Sequence, residues 1–311
     1  MDQETALRIR QELSHVKLLL CTPCYGGQCF TGYLRSTLGL VKLLMQLGIE
    51  HEIYTLDSES LITRARNSMT ARFIGDESFT HLLFIDADIT YNPQTVLRLL
   101  MSKKQVCGAC YPKKVLNWDK VRENVEKDIE KGLTNDDLLA KSLDYVVNVI
   151  AEGDEEVKAV NIENGFVKVS NLGTGFLLIE RSVFDIMTAK YPDQKYENDI
   201  SGYDMPETKG NFYLFFDTMV HPESKRYLSE DYAFCQKWID CGGEIYMDIF
   251  SPLVHTGWFN YKGFVLKSLE NNIKQEKELQ EEPVKKIEEP VVKKIENKQN
   301  KKAVSFSDMK I

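Results

Sequence analysis

Within residues 82–89, the carboxylates Asp86 and Asp88 follow an apolar run and are separated by one residue. A continuous apolar run this short is typical of a strand buried on both faces of a parallel sheet. We expect that strand to end at the carboxyl edge of the sheet, with both carboxylates on one face. Two adjacent carboxylates repel each other unless a cation lies between them, and a hard divalent ion carrying a diphosphate fits this pair. A pair of solvated turn residues is the alternative interpretation.

A second acidic pair, Glu230 and Asp231, follows Ser229 at a predicted helix start, and His255 comes after the last predicted strand. Ser229 suits the N-cap position, and acidic residues in a first helical turn are favoured by the helix dipole. That electrostatic role is the structural alternative to a chemical role for the pair. Together with Asp86 and Asp88, these residues give three candidate site features.

The elements that would position these residues begin with a βαβ unit. Apolar patterns predict a strand, a helix that stops at Gly48, and a second strand, at 16–21, 33–47 and 51–56. Such a unit implies a parallel sheet. The intervening loop contains Gly26 and Gly27, which permit close approach to a ligand, but it matches neither G-x-G-x-x-G nor a P-loop.

Later segments of the sequence also alternate between predicted strands and helices, with one insertion. Residues 111–156 are expected to lie over the sheet, with Trp118 available either to stack on a sugar or to pack. Asn164-Gly165 is a strong hairpin signal between strands at 157–160 and 166–169. Other predicted helices lie at 61–69, 92–100, 136–150, 181–189 and from 229 onward, and other strands at 106–110, 171–179 and 244–248.

Composition excludes several classes of function. The 311 residues are 43% hydrophobic and 28% charged, which is typical of a globular protein with a substantial core. The net charge of −8 predicts no nucleic-acid partner. No apolar stretch approaches the ~20 residues that cross a bilayer, and the amino terminus resembles no secretion signal, so we expect a cytoplasmic protein.

Seven cysteines include two C-x-x-C pairs, Cys21/Cys24 and Cys107/Cys110. The pairs lie far apart in sequence and end predicted buried strands. We therefore favour free, buried thiols over a zinc site or disulfides.

The composition changes after about residue 268. Residues 281–302 hold an imperfect tandem repeat of charge blocks with proline and no aromatic residue. Such a segment buries too little apolar area to fold. The sequence therefore predicts a domain over 1–268 and a disordered tail over 269–311, which could also dock a protein partner.

The order D-x-D, E-D and late histidine resembles the metal-dependent glycosyltransferases with a GT-A fold, including family 2. Residues 61–67 and 83–89 are similar to the fungal mannan-polymerase family and to glycosyltransferases of large DNA viruses. The resemblance spans roughly residues 15–262. It implies an α/β fold with a mostly parallel, Rossmann-like central sheet flanked by helices and a small antiparallel hairpin region. It also implies a nucleotide-sugar donor, a glycan acceptor and, for a virus-encoded enzyme, action in the host cytoplasm.

The resemblance also implies roles for particular residues. Asp86, Asp88 and His255 would hold Mn²⁺ or Mg²⁺, with Asp86 also near the ribose of a UDP- or GDP-sugar. Asp231, beside Glu230, would take the proton from the acceptor hydroxyl in an inverting reaction, whereas a retaining enzyme would not use it so. The implied donor-binding residues are Thr22, Pro23, Asp57, Arg64, Asn67, Gly173 and Thr174.

Two other classes of function stay open. A sugar-phosphate nucleotidyltransferase would use a similar scaffold, but such enzymes usually carry a basic residue in the first glycine-rich loop. Here no Lys or Arg follows Gly27 before Arg35. A non-catalytic carbohydrate-binding protein is the other alternative, and the complete acidic set argues against it.

Overall fold

The computed structural model describes residues 2–128, 132, 134–150, 161–203, 205–257 and 260–267. The chain divides into units 1–271 and 272–311. The predicted tail over 269–311 and the predicted strand at 157–160 lie outside the described residues. Where the chain is described, no helix is both long and apolar enough to cross a membrane.

Helices and strands alternate through most of the chain, as the apolar patterns predict. The helices are α1 (Gln3–Glu12), α2 (Thr31–Leu47), α3 (Ile62–Gly75), α4 (Pro93–Met101), α5 (Trp118–Asp128), α6 (Asn135–Lys141), α7 (Arg181–Lys190) and α8 (Glu230–Asp240). The strands are β1 (Lys17–Cys24), β2 (Glu50–Asp57), β3 (His81–Ile85), β4 (Ile89–Thr90), β5 (Val106–Ala109), β6 (Pro112–Leu116), β7 (Leu143–Tyr145), β8 (Val147–Val149), β9 (Ile162–Glu163), β10 (Phe166–Leu172), β11 (Phe176–Glu180), β12 (Met219–Val220), β13 (Tyr227–Leu228), β14 (Ile245–Asp248), β15 (Leu253–Thr256) and β16 (Asn260–Gly263).

The central sheet has the order β2-β1-β3-β11-β5-β14-β10-β8, and β9 also pairs with β10. The pairs β1–β2, β1–β3 and β5–β14 are parallel, whereas β10 and β11 are antiparallel to all their neighbours. All central strands except β10 and β11 therefore run in one direction. This confirms the predicted α/β class with a mostly parallel sheet.

Both faces of the sheet are buried. In β3, Leu82 and Phe84 pack in one apolar cluster, while Leu83 and Ile85 pack in a second. Because side chains alternate along a strand, the two clusters lie on opposite faces of the sheet. The continuous apolar run is therefore explained by helices and loops that cover both faces.

Local signals placed several element ends correctly. Helix α2 ends at Gly48, whose φ of 66° is the left-handed conformation that favours glycine. Helix α4 begins after Asn92, whose side chain accepts a hydrogen bond from the Gln94 amide. Asn164 and Gly165 both have positive φ in the turn between β9 and β10, as the hairpin prediction required.

Three sequence predictions were wrong in detail. Strand β3 ends at Ile85, and residues 86–88 form a turn, so alternation along a strand does not fix the two carboxylates. The predicted helix at 136–150 stops at Lys141 and is followed by β7 and β8. The predicted strand at 171–179 is divided between β10 and β11, two separate strands of the central sheet, because residues 173–175 form a turn between them.

Two small antiparallel sheets lie beside the site. Strands β16, β15 and β4 form one, in which His255 pairs with Ile89. Strands β6 and β7 form the other. The antiparallel β11 begins at Phe176 opposite Ile85, so its amino end lies at the edge where β3 ends.

All seven cysteines are free, and five of them are buried. The four cysteines of the two C-x-x-C pairs are among the buried ones, as expected for small apolar core residues.

Candidate functional site

A cavity of about 460 Å³ opens at the carboxyl edge of the central sheet. Four of the segments that border this cavity are the residues after β3, those after β5, those before β11 and the first turn of α8. Its lining is Pro23, Tyr25, Gln28, Phe30, Glu59, Ser60, Ile62, Arg66, Asp86, Ala87, Asp88, Tyr111, Thr174, Glu230 and Asp231. The D-x-D and E-D pairs, which are 144 residues apart between Asp86 and Glu230, thus share one cavity.

A larger groove of about 1050 Å³ lies elsewhere, between α1, α2, α4 and the start of β10. Two of the three cations that line it already have partners within the protein. Arg98 pairs with the buried Asp248, and Lys104 pairs with Glu163. We therefore place the chemistry in the smaller cavity, where charged groups converge with free hydrogen-bonding capacity.

Arg66 is the buried cation of this cavity. Its Nη2 donates to Asp86 Oδ1 at 2.9 Å, and its Nε lies 3.7 Å from Glu230 Oε1. The Arg66 side chain is only 3% exposed and also lies over the Phe84 ring. Although burial lowers the pKa of this guanidinium, Asp86 and Glu230 outweigh that effect and raise it. Arg66 thus joins the two acidic pairs through a permanent charge.

Asp88 lies between two basic side chains. The Lys114 ammonium contacts Asp88 Oδ2, and His255 Nε2 lies 3.5 Å from the same oxygen. Burial raises the pKa of the Asp88 carboxyl, but its interactions with His255 and Lys114 outweigh burial and hold the pKa below its usual value. Asp88 is therefore ionised at neutral pH.

The backbone fixes the position of His255. Strand β15 pairs with β4, and the Thr256 amide donates to the Asp88 carbonyl at 2.9 Å. His255 Nδ1 lies 2.8 Å from the Pro112 carbonyl oxygen, which can only accept a hydrogen bond. Nδ1 therefore carries a proton and donates it to Pro112, which orients the ring so that Nε2 faces Asp88.

Glu230 and Asp231 form the first turn of α8. The Ser229 hydroxyl does not cap the helix but donates to Asp231 Oδ1, which also accepts from the Tyr232 amide at 2.8 Å. Burial raises the pKa of Glu230, and the nearby Arg66 only partly offsets this effect. The helix start therefore presents one firmly held carboxylate, Asp231, beside a carboxyl that protonates more readily.

The turn at 173–175 packs tightly against the acidic pair. The Gly175 amide donates to the Tyr111 hydroxyl at 3.1 Å, and the Asp86 amide donates to the Gly175 carbonyl at 3.0 Å. A Cβ at Gly175 would lie 2.7 Å from Tyr111 Cζ and 2.8 Å from Asp86 Oδ2. Only glycine leaves both side chains in place, which gives the predicted glycine turn a definite packing role.

Unsatisfied polar atoms concentrate around this cavity. Among the described residues, buried side-chain atoms without a hydrogen-bond partner include Arg66 Nε and Nη1, Asp88 Oδ1 and Thr174 Oγ1. Buried polar groups are nearly always paired, and exceptions call for a ligand, an ion or water. One donor of Arg66, a carboxylate oxygen and a hydroxyl, all on residues that line one cavity, thus have no protein partner, and Arg66 Nε has only its 3.7 Å ion pair with Glu230.

Several donor-binding candidates lie outside the described lining of the cavity. Thr22 is buried and hydrogen bonds to Tyr33 Oη at 2.7 Å. The Asn67 side chain bonds the backbone of Phe216 in both directions. Asp57 is exposed at the end of β2, beside Cys24. In contrast, the cavity is bordered by six of the predicted site residues: Pro23, Asp86, Asp88, Thr174, Glu230 and Asp231.

The sequence drew attention to Arg64, whereas the structure places Arg66 in the cavity. Arg64 donates to both carboxylate oxygens of Glu59 and is 36% exposed. Tyr111 and Lys114 were not singled out either. Arg66 lies in the stretch 65–71 of α3, all of which is buried. No pattern in the sequence predicts that burial, so sequence reasoning had no means of choosing Arg66.

The residues around Asp88 fit a hard divalent cation. Asp88 Oδ1 has no hydrogen-bond partner, and Nε2 of His255, a residue that commonly binds metals, lies 3.5 Å from Oδ2 of the same carboxylate. Over the described part of the chain, no group of three or more His, Cys, Asp or Glu side chains could hold a metal. A cation here would therefore have two protein ligands and would take the others from water and a bound anion.

Two solved structures illustrate how this chain compares with known proteins, and both are only distantly similar to it. No family model and no curated protein matches the chain. The A197 protein of STIV has a similar structure, with 15% identity, a TM-score of 0.40, and coverage of 78% of this chain and 86% of that one. A 4-diphosphocytidyl-2C-methyl-D-erythritol synthase from Anaerococcus prevotii is 9% identical, with a TM-score of 0.28 and coverage of 73% and 99%. TM-scores this low carry no argument about activity.

Proposed function

We propose that this protein is a glycosyltransferase of glycan biosynthesis that moves a sugar from a nucleoside-diphosphate sugar to a hydroxyl acceptor. The observation that supports this most is the set of unpartnered groups on Arg66, Asp88 and Thr174 around one cavity. Donors, a carboxylate and a hydroxyl together complement a ligand that combines anionic oxygens with sugar hydroxyls.

The donor would be held by groups of both kinds. The Nη1 group of Arg66, which has no hydrogen-bond partner, suits phosphate or sugar oxygens, and the Thr174 hydroxyl suits a sugar hydroxyl. Pro23 and the exposed ring of Tyr25 border the cavity and could contact the base. Asp88 and His255 would hold Mn²⁺ or Mg²⁺, and Asp86, bound to Arg66, would contact the ribose or a water. When bound, such an ion neutralises charge on the departing diphosphate.

Asp231 would be the general base. Its Oδ1 is held by Ser229 and the Tyr232 amide, and we assign Oδ2 to accept the proton of the acceptor hydroxyl. The acceptor oxygen then bonds to the anomeric carbon as the bond from that carbon to the diphosphate breaks. A single displacement of this kind inverts the anomeric configuration, so we propose an inverting enzyme.

The first test is a thermal-shift screen of UDP- and GDP-sugars with Mn²⁺, followed by assay of nucleoside-diphosphate release. Binding of one donor at 100 times its Kd would stabilise the protein by about 2.7 kcal/mol. Failure of every nucleotide sugar both to bind and to be hydrolysed would contradict the proposal.

The second test compares Asp231→Asn with Asp240→Asn, a matched change at the other end of α8. Asp231→Asn should reduce transfer by about 10²–10⁴-fold, the usual contribution of a general base, with donor affinity retained. Asp240→Asn should leave both quantities unchanged. Loss of donor affinity with normal residual turnover would make Asp231 a binding residue instead.

A further inference from the structure

Lys114 occupies the position next to Asp88 that a metal ion would need. It lies on β6, a strand outside the central sheet, and its ammonium contacts Asp88 Oδ2. His255 Nε2 lies 3.5 Å from that same oxygen. A cation bound by both Asp88 Oδ2 and His255 would therefore compete with the ammonium group.

Lys114 has the freedom to leave this position. Its side chain is 36% exposed, and it carries four methylene groups on a small two-stranded sheet. Asp88 is less exposed, at 21%, and the backbone fixes its turn through the bonds to Ile89 and Thr256. Of the two partners, the lysine is the one that can move.

We propose that Lys114 is a tethered cation that holds Asp88 in place when no divalent ion is bound and yields this carboxylate to the ion. This inference rests on the metal site of the proposed function. The ammonium pairs with this largely buried carboxylate when the ion is absent, so the ligand is already in position. The same contact weakens divalent-ion binding, because the ion must displace it.

The experiment is a titration of the purified protein with Mn²⁺, followed by the electron paramagnetic resonance signal of the free ion. Lys114→Met removes the competing ammonium and should tighten Mn²⁺ binding about ten-fold, equivalent to about 1.4 kcal/mol. Lys113→Met is the matched control, because it removes the same charge one residue away, on an exposed side chain. It should change the Mn²⁺ affinity by less than about two-fold, the effect of a distant screened charge.

Other results distinguish the two proposals. Equal tightening in both lysine variants, or no tightening in Lys114→Met, would overturn the role of Lys114. Asp88→Ala tests the metal site itself. Added to Lys114→Met, it should abolish the tight Mn²⁺ binding of that variant. If Asp88→Ala weakens Mn²⁺ binding but Lys114→Met has no effect, only the competition fails. If Asp88→Ala binds Mn²⁺ as the unmodified protein does, the metal assignment in the proposed function fails as well.

Discussion

Replacement of Arg66 by methionine tests whether a buried cation holds the two acidic pairs together. Methionine keeps an unbranched apolar side chain as far as the position of Nε but leaves Asp86 and Glu230 without their shared partner. Removing one member of a buried ion pair costs about 3–5 kcal/mol. Because Asp86 and Glu230 keep 27% and 17% of their side-chain exposure, water moderates this cost, and we expect the lower end, about 3 kcal/mol.

The measurement is chemical denaturation at pH 7, with thermal unfolding as a second readout. At about 2 °C per kcal/mol for a domain of this size, the loss corresponds to roughly 6 °C in Tm. Arg72→Met is the matched control, since it makes the same change in α3, six residues away. Arg72 pairs with Glu52, whose side chain is 43% exposed, so we expect a loss of no more than about 1 kcal/mol there.

The stability deficit of Arg66→Met, which is its loss of unfolding free energy relative to the unmodified protein, should also depend on pH. Without the guanidinium, the pKa of Glu230, already raised by burial, would rise further. A carboxyl whose pKa is raised on folding stabilises the protein at low pH and loses that contribution as the pH rises through the raised value. The deficit should therefore shrink as the pH falls below about 5, the region where carboxyls titrate. Adding Glu230→Gln to Arg66→Met should recover part of the lost stability at pH 7.

Two results would refute this account. One is a loss below about 1 kcal/mol in Arg66→Met, which is the value for a surface pair. The other is a deficit that stays constant between pH 7 and pH 4, which would assign the cost to packing rather than to charge.

Two further predictions concern packing and acid stability. Gly175→Ala should move Tyr111 and Asp86, because its Cβ would lie 2.7–2.8 Å from them, and should reduce transfer about 10²-fold in a nucleoside-diphosphate release assay. The outcome against it is unchanged transfer. Burial, with a smaller contribution from His15, lowers the pKa of His81 to about 4, so stability should fall as the pH drops from about 6.5 toward 4, by about 3 kcal/mol. In denaturation curves measured over this pH range, His81→Gln should not show this part of the loss of stability at acid pH.

Features coded by neighbouring residues were predictable from the sequence. The buried strand at 81–85, the helix end at Gly48 and the turn at Asn164-Gly165 follow from apolar periodicity and backbone preference. The acidic pairs were expected at the carboxyl edge of the sheet, where the ends of parallel strands meet, and both pairs border one cavity at that edge. Short-range rules failed at 142–149, where pairing with distant strands replaced the predicted helix.

The contacts within the site depended on tertiary structure. His255 lies beside Asp88 because β15 pairs with β4, and Lys114 lies there because β6 packs nearby. Arg66 rather than Arg64 enters the cavity because of the way α3 packs on the sheet, which two arginines in one helix do not reveal. The sequence by itself determined the strand and the acidic residues that follow it. Only long-range pairing and burial decided which cations meet those carboxylates, since such contacts join residues with no local signal of proximity.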